Sequence, residues 1–319
     1  MLGVLVLAGV SAALLGADAA AAALPQWAAE PWFAWGLLPF AGVNVGFYFT
    51  ALPLEALLRG AVLPGEEEDC PSVGNEGAWG PLQLAFWVRP LGYGKSRSAR
   101  VQAQVPGFWG QLRGSAWNIS GPWAILGAVT SAALLPLLMP PAAGLCPALG
   151  EAAWHLAVMS LLGDLCLYVG HRVQHESGYL WAKHHSVHHK ILAPTPVGTI
   201  FIDPLDMTLQ ATLPLLVAGW AAGAHPLTFA LYCALRVSDN VVNHSGLEGP
   251  LVDLVGLKCF PGRAAVAHHD AHHRSMVGRG AGNFGEAFWL WDWFFGTLRE
   301  GGGGRAGASQ SGRGRALRR

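Results

Sequence analysis

Apolar residues in this chain do not return to one face of a helix; they run on uninterrupted. One run occupies 2–24, broken only by Asp18, and a second occupies 33–58, closed by Arg59. Two more occupy 121–139 and 152–170, the last leading straight into His171. Crossing roughly 30 Å of hydrocarbon takes about 20 such residues in a helix, so each run predicts one membrane span. The alanine-rich end of the first run is similar to a signal-peptide cleavage region, but no Lys or Arg precedes it, which favours a retained span. The stretch 207–242 is also apolar, with interruptions at Pro214, Gly219, Gly223 and Pro226. It is long enough for two short helices and predicts a re-entrant hairpin or a pair of tilted spans.

The polar segments between these runs set the orientation. Segment 60–120 carries Arg89, Lys95, Arg97, Arg100 and Arg113, whereas 140–150 carries no charge. The positive-inside rule then places 60–120 in the cytosol and 140–150 in the lumen, so the fourth span exits into the cytosol at His171. The sequons Asn118-Ile119-Ser120 and Asn243-His244-Ser245 fall on or near that side and should stay unglycosylated. The organisation expected is two N-terminal spans in 1–59, a cytosolic loop in 60–120, a histidine-bearing domain in 121–300 and a disordered basic tail in 301–319. Glu66 to Asp69 reads as a solvated loop, and the arginines of the tail suit contact with anionic lipid.

Composition strengthens the membrane reading. Of 319 residues 52% are hydrophobic and 13% charged, against about 25% charged in soluble domains; mean hydropathy is +0.34. The expected fold class is all-α, a polytopic membrane helical bundle with a cytosolic helical cap. Formal net charge is zero, which offers nothing to nucleic acid. The five cysteines are scattered and include no CxxC, which argues against a disulfide framework and a thiolate metal site.

The chemistry lies in the histidines. They form three clusters, His171 with His175 (HxxxH), His185-Ser186-Val187-His188-His189 (HxxHH), and His269-Asp270-Ala271-His272-His273 (HxxHH). Helical i, i+3 and i, i+4 spacing sets such rings on one face, and neutral imidazole is a general first-row metal ligand. Eight imidazoles exceed the four to six positions of one ion, so two metals are implied. His184 and His268, each preceding a box, fit the spacing less well and read as supporting or exposed groups. His244 ends the apolar hairpin on the same face, and Asn240 or Asp239 beside it could supply an oxygen. Asp164, two turns before His171 on its face, is either a partner fixing a ring tautomer or a buried contact between spans. His155 and His225 read as structural.

Beyond the boxes stand His244-Ser245-Gly246, Asn283-Phe284-Gly285, Trp291-Asp292 and Phe295-Gly296-Thr297. Together, over roughly 152–298, these resemble the fatty acid hydroxylase superfamily of membrane di-iron enzymes. The resemblance implies His171, His175, His185, His188, His189, His244, His269, His272 and His273 as metal ligands, two non-haem irons, and O2 as co-substrate. It also implies hydroxylation or desaturation of a sterol-like or fatty-acyl membrane lipid, with electrons from a haem carrier and an NAD(P)H reductase, in the endoplasmic reticulum. The chain itself has no His-Pro-Gly-Gly haem segment and no GxGxxG after a strand-like run. The boxes and Asp270 are most similar to methyl sterol oxidases, although 286–293 departs from their wording. Some members carry a histidine where Asn240 stands, which implies a different shell or an open position at one metal. Two other classes compete. A histidine-lined metal transporter would carry its ligands at the bilayer midplane. A catalytically degenerate member would bind metal without turnover.

Overall fold

The computed structural model describes residues 30–62, 88–91, 106–139, 147–191, 193–274 and 281–299. The expected span at 2–24, the acidic run at 66–69 and the basic tail lie outside the described residues. Helix α1 covers Leu38–Val62, led in by a π-helical turn over Trp32–Leu37. Helices α2 (Phe108–Ser120) and α3 (Pro122–Leu138) follow one another across a break at Gly121, and α4 covers Leu149–Glu176. After α5 (Gly178–Lys183) come two short 3-10 helices, His185–Lys190 and Pro196–Gly198. The apolar stretch then forms α6 (Pro204–Met207), a π-helical turn (Thr208–Thr212), α7 (Leu213–Ala222) and α8 (Pro226–Asn243). Helices α9 (Pro250–Val255), α10 (Val266–Arg274) and α11 (Leu290–Phe294) complete the described fold. A two-residue antiparallel ladder, β1 (Arg89–Pro90) against β2 (Leu247–Glu248), is the only sheet among these residues.

This is an all-α membrane bundle. Three stretches, Trp32–Arg59, Phe108–Leu138 and Leu149–Glu176, are long and apolar enough to cross a bilayer. Their outward faces present Trp123, Ile125, Val129, Leu137 and Trp154 to the surroundings. An apolar belt of that kind exceeds what water-soluble monomers expose, and lipid solvates it. The hairpin forms as two helices. Gly223, in the left-handed region at φ 59°, ends α7 by donating its N–H to the carbonyls of Gly219 and Trp220, and the His225 ring caps α8 at the Leu227 N–H.

The segment 60–120 is not a loop throughout, because its last thirteen residues are α2. The reason lies in its polar face. Ser115 donates to the Val197 carbonyl at 2.7 Å, and Asn118 donates to the carbonyls of Ile200 and Ile202 at 2.9 and 2.8 Å. These bonds sew α2 to the chain that follows the second histidine box. They also bury the Asn118 amide, as the Glu286 carbonyl holds that of Asn243, so neither sequon nitrogen is available for a glycan.

Helix α1 packs chiefly on α8. Gly42 and Gly46, one turn apart, form its contact face. A Cβ at Gly42 would lie 2.5 Å from the Ala230 carbonyl oxygen, and one at Gly46 would collide with that of Ala234. Small residues at this spacing let two backbones meet inside a membrane, where dispersion replaces the hydrophobic effect as the driving force. Replacing Gly46 with Leu should therefore overpack the crossing by about 1–3 kcal/mol and lower the unfolding midpoint in detergent. Gly150→Leu, at a position with open space around it, is the control; equal midpoints for both would mean that α1 and α8 do not meet there.

Candidate metal centre

Three elements carry the histidine clusters to one place. His171 and His175 lie one turn apart at the end of α4. The third box lies on α10, an α-helix, as its spacing predicts. The second box differs, since α5 stops at His184 and His185–Lys190 continues as a 3-10 helix. All nine imidazoles implied as ligands are at least 95% buried. They sort into two groups, His171, His175, His185, His189 and His272 in the first, and His188, His244, His269 and His273 in the second. Within each group the ring nitrogens all lie within 4.8 Å of one another. Both HxxHH boxes are divided in the same way, with the outer pair (i, i+4) in one group and the middle histidine in the other.

The ring partners fix where the protons sit. Nδ1 of His171 faces the Phe284 carbonyl at 2.9 Å, and Nδ1 of His272 faces the Gly282 carbonyl at 2.8 Å. Nδ1 of His185 faces an Asp206 carboxylate oxygen at 2.9 Å, and Nδ1 of His244 faces the Asn240 carbonyl at 2.9 Å. A carbonyl only accepts, so Nδ1 of His171, His244 and His272 carries the proton of its bond, while Nδ1 of His185 lies between the Asp206 carboxylate and the Gln210 amide nitrogen 3.1 Å away. Yet the Nε2 atoms converge: His185 lies 2.9 Å from His175 and 3.1 Å from His189, and His244 lies 2.9 Å from His269 and 3.1 Å from His188. His171 Nε2 is buried with no hydrogen-bond partner. Burial first, and the neighbouring imidazoles second, hold His185, His188, His189, His269, His272 and His273 well below the ordinary histidine value. Nitrogen donors gathered at two foci in a dry site suit a cation at each focus, so the donor set fits two metal ions. Trp181, 4.8 Å from His175 and 5.1 Å from His189 between ring centroids, and Phe284, 5.6 Å from His171, wall the first group.

The remaining predicted residues take other places. Asp164 touches no histidine. It accepts the backbone N–H groups of Glu286, Ala287 and Phe288 at 3.3, 2.7 and 3.0 Å, so it holds the turn after the third box and does not fix a tautomer. His268 meets Asp292 at 3.0 Å, and Asp292 also takes the N–H groups of Phe284 and Gly285, so this pair shapes the loop whose carbonyls orient His171 and His272. His184 meets Asp203 at 2.8 Å and stands outside both groups. Asn240 acts on His244 through its backbone carbonyl, while its amide donates to Glu286. Asp239 supplies no oxygen to the centre, because Lys258 and Arg263 each pair with it at 2.6 Å. Arg236 joins this cluster to Glu286 at 2.6 Å. His155 accepts the His225 N–H at 3.4 Å, and both lie away from the centre.

Asp206 is the residue that spacing did not reveal. It is fully buried, and besides His185 it accepts from Gln174 at 3.0 Å and Gln210 at 2.5 Å. Its signal in the sequence was an isolated carboxylate at the mouth of the apolar hairpin, a position that is costly unless the charge is used. Gln174 and Trp181 carried no comparable signal.

The histidine-bearing part of the chain is similar to known proteins. The family model described as fatty acid hydroxylase matches residues 156–297. Over 153 residues the chain is 34% identical to very-long-chain aldehyde decarbonylase GL1-10 of Oryza sativa subsp. japonica, covering 47% of this chain and 48% of that one. It is 30% identical over 152 residues to the cholesterol 25-hydroxylase-like protein of Danio rerio, covering 48% and 58%. It is 30% identical over 151 residues to methylsterol monooxygenase 1-1 of Arabidopsis thaliana, covering 47% and 49%. The chain thus spans about half the length of the curated relatives it matches. No solved structure matches it.

Two outcomes follow from the ring environments. Asp206→Asn, which keeps an acceptor for His185 but loses the charge, should weaken metal retention against a chelator by about 10–100-fold, the usual effect of removing a carboxylate behind a ligating histidine. Unchanged metal release would reduce Asp206 to a packing role. In metal-stripped protein the buried rings stay neutral below pH 6.5 while the unfolded chain takes up protons there. Stability should therefore be present above pH 6.5 and fall as the pH drops through that value, by up to about 1.4 kcal/mol per pH unit for each such histidine. Thermal unfolding of the stripped protein between pH 5 and 8 reads this directly, and a flat profile contradicts it.

Proposed function

We propose, from the match of residues 156–297 to the fatty acid hydroxylase model, that the protein is a membrane-bound oxidoreductase that uses two non-haem irons and O2 to hydroxylate or desaturate a membrane lipid. The observation that carries this reading is the convergence of nine buried, neutral imidazoles on two foci at the ends of membrane helices. Nitrogen donors alone suit iron, zinc or copper; the family favours iron. When bound, two irons supply the dioxygen activation needed to attack an unactivated C–H bond, which no side chain provides.

The protein's own residues do the rest. The nine histidines hold the metals, and His171, His185, His244 and His272 are fixed in orientation through their Nδ1 atoms. Asp206 places a buried negative charge behind His185, which makes that ring a stronger donor. Trp181 and Phe284 keep water from the first group. The bilayer delivers an apolar substrate to the bundle. The names of these relatives point to sterols in two cases and to very-long-chain aldehydes in the third, so the substrate is a lipid of one of these shapes. Electrons come from an external haem carrier and NAD(P)H reductase that meet the histidine-bearing cap on the cytosolic face of the endoplasmic reticulum. Ligands at the ends of helices, away from a midplane pore, favour this over a transporter.

The test is elemental and isotopic. Protein purified in mild detergent should hold two irons per chain. Reconstituted with donor, reductase and membrane lipid, it should consume oxygen and yield a lipid labelled from 18O2 if it hydroxylates, or an unlabelled alkene if it desaturates. His188→Ala and His272→Ala should each abolish turnover, whereas His184→Ala should be milder. Two bound irons with neither oxygen uptake nor lipid change would favour a catalytically inactive metal-binding member.

A further inference from the structure

The exposed face of α2 differs in kind from that of α3, which follows it. Along α3 the exposed side chains include Ile125, Val129 and Leu137, and the helix carries no charge. On α2, Trp109, Arg113 and Trp117 stand at i, i+4 and i+8 and so share one row. All three are exposed. Hydrocarbon suits the α3 surface. The row on α2 suits the headgroup layer, where an indole meets both phases and a guanidinium keeps its hydration. Arg113 also belongs to the segment whose basic residues predict the cytosolic side, where the leaflet is anionic.

A cleft of about 470 Å³ opens beside this row, between α2 and the segment 201–204. Arg113 is the only charged side chain among the described residues that line it, and Trp117, Phe201, Ile202 and Pro204 give it apolar walls. Phe201 closes against α2 because Gly114 lacks a side chain; a Cβ there would collide with the ring. Asn118, also in the lining, donates to the carbonyls of Ile200 and Ile202. Among the described residues Arg113 forms no ion pair and no hydrogen bond. Asp203, between two lining residues, does not line the cleft; it faces His184 at 2.8 Å and caps the Leu205 N–H at 2.9 Å.

We infer that this cleft binds the phosphate of an anionic membrane phospholipid, with Arg113 as its counter-charge. A guanidinium presents a planar fork of N–H donors that matches phosphate oxygens. The lining holds a cation and no carboxylate, so a headgroup of net negative charge fits it, whereas the ammonium of phosphatidylcholine would find no partner there. The apolar walls suit the first carbons of the lipid's chains. The site lies outside both histidine groups, so this lipid is a fixed neighbour and not the molecule oxidised, and the inference stands apart from the oxidoreductase reading. The opposite face of α2 is bonded to the chain that follows the second histidine box. A lipid held at Arg113 would brace that segment against the bilayer.

The test reads lipid and not turnover. Protein in nanodiscs of phosphatidylcholine doped with phosphatidylglycerol is extracted in mild detergent, and the lipid it retains is measured by mass spectrometry. The wild type should keep phosphatidylglycerol over phosphatidylcholine by about fivefold relative to the nanodisc, the effect of one cation at a membrane surface. Arg113→Gln should lose that preference and Arg113→Lys should keep most of it, with metal content unchanged in both. A second arm uses the wild type alone and so does not depend on any variant folding. Phosphatidylglycerol with a diazirine on its headgroup should label peptides containing 113–117 and 201–204. Excess unlabelled phosphatidylglycerol should suppress this, and phosphatidylcholine or glycerol phosphate should not. Retention of the two lipids in the nanodisc proportion, a preference that survives Arg113→Gln, or labelling that misses both peptides overturns the assignment. Suppression by glycerol phosphate overturns it as well, because the cleft would then be a site for a soluble phosphate ester.

Discussion

The structure depends on one electrostatic constraint, that nine imidazoles are crowded at two foci where water cannot reach them. A buried polar atom without a partner costs free energy comparable to a lost hydrogen bond. Here His171 Nε2 is such an atom, and so is Nδ1 of His175, His188, His189, His269 and His273. Protonation is closed off by burial, and the Nδ1 positions of four rings are already spent on carbonyls and a carboxylate. A cation at each focus would make this arrangement favourable. The surrounding helices serve to hold the rings at that separation.

The scaffold that holds them is itself polar and buried. Asp164 and Asp292 spend their oxygens on backbone N–H groups of the 284–288 turn, which fixes the carbonyls that in turn orient His171 and His272. Beside that turn Arg236, Lys258 and Arg263 face Asp164, Asp239 and Glu286, three charges of each sign. Buried ion pairs seldom add much net stability, but removing one partner leaves an uncompensated charge and is costly. Such a network therefore enforces one geometry, tying α4, α8 and the 258–263 and 284–288 segments to a single relative position.

Much of this was legible in the chain because it depends on local period. Spans at 33–58, 121–139 and 152–170 follow from apolar length, and the nine rings follow from their i, i+3 and i, i+4 spacing and the family motifs. What spacing could not supply was long-range pairing. Asp164 shares a face with His171 in sequence yet turns to a backbone segment more than a hundred residues away. Asn240 stands where an oxygen ligand was expected, but its side chain is drawn to Glu286. Asp206 lies outside every box and reaches His185 only because the hairpin folds back beneath it. Helix α2 was hidden because its buried face is polar, and the acceptors of Ser115 and Asn118 lie some eighty residues on.

The division of the two HxxHH boxes carries a consequence of its own. Each box gives its outer pair to one focus and its middle ring to the other, so neither box belongs to a single focus, although α4 serves the first alone and His244 the second alone. The 3-10 helix and α10 are each a shared beam between two loads. A change that disturbs either element disturbs both foci at once, and no simple deletion of a segment leaves a tidy one-ion remnant. Two ions held in this way would be gained and lost together.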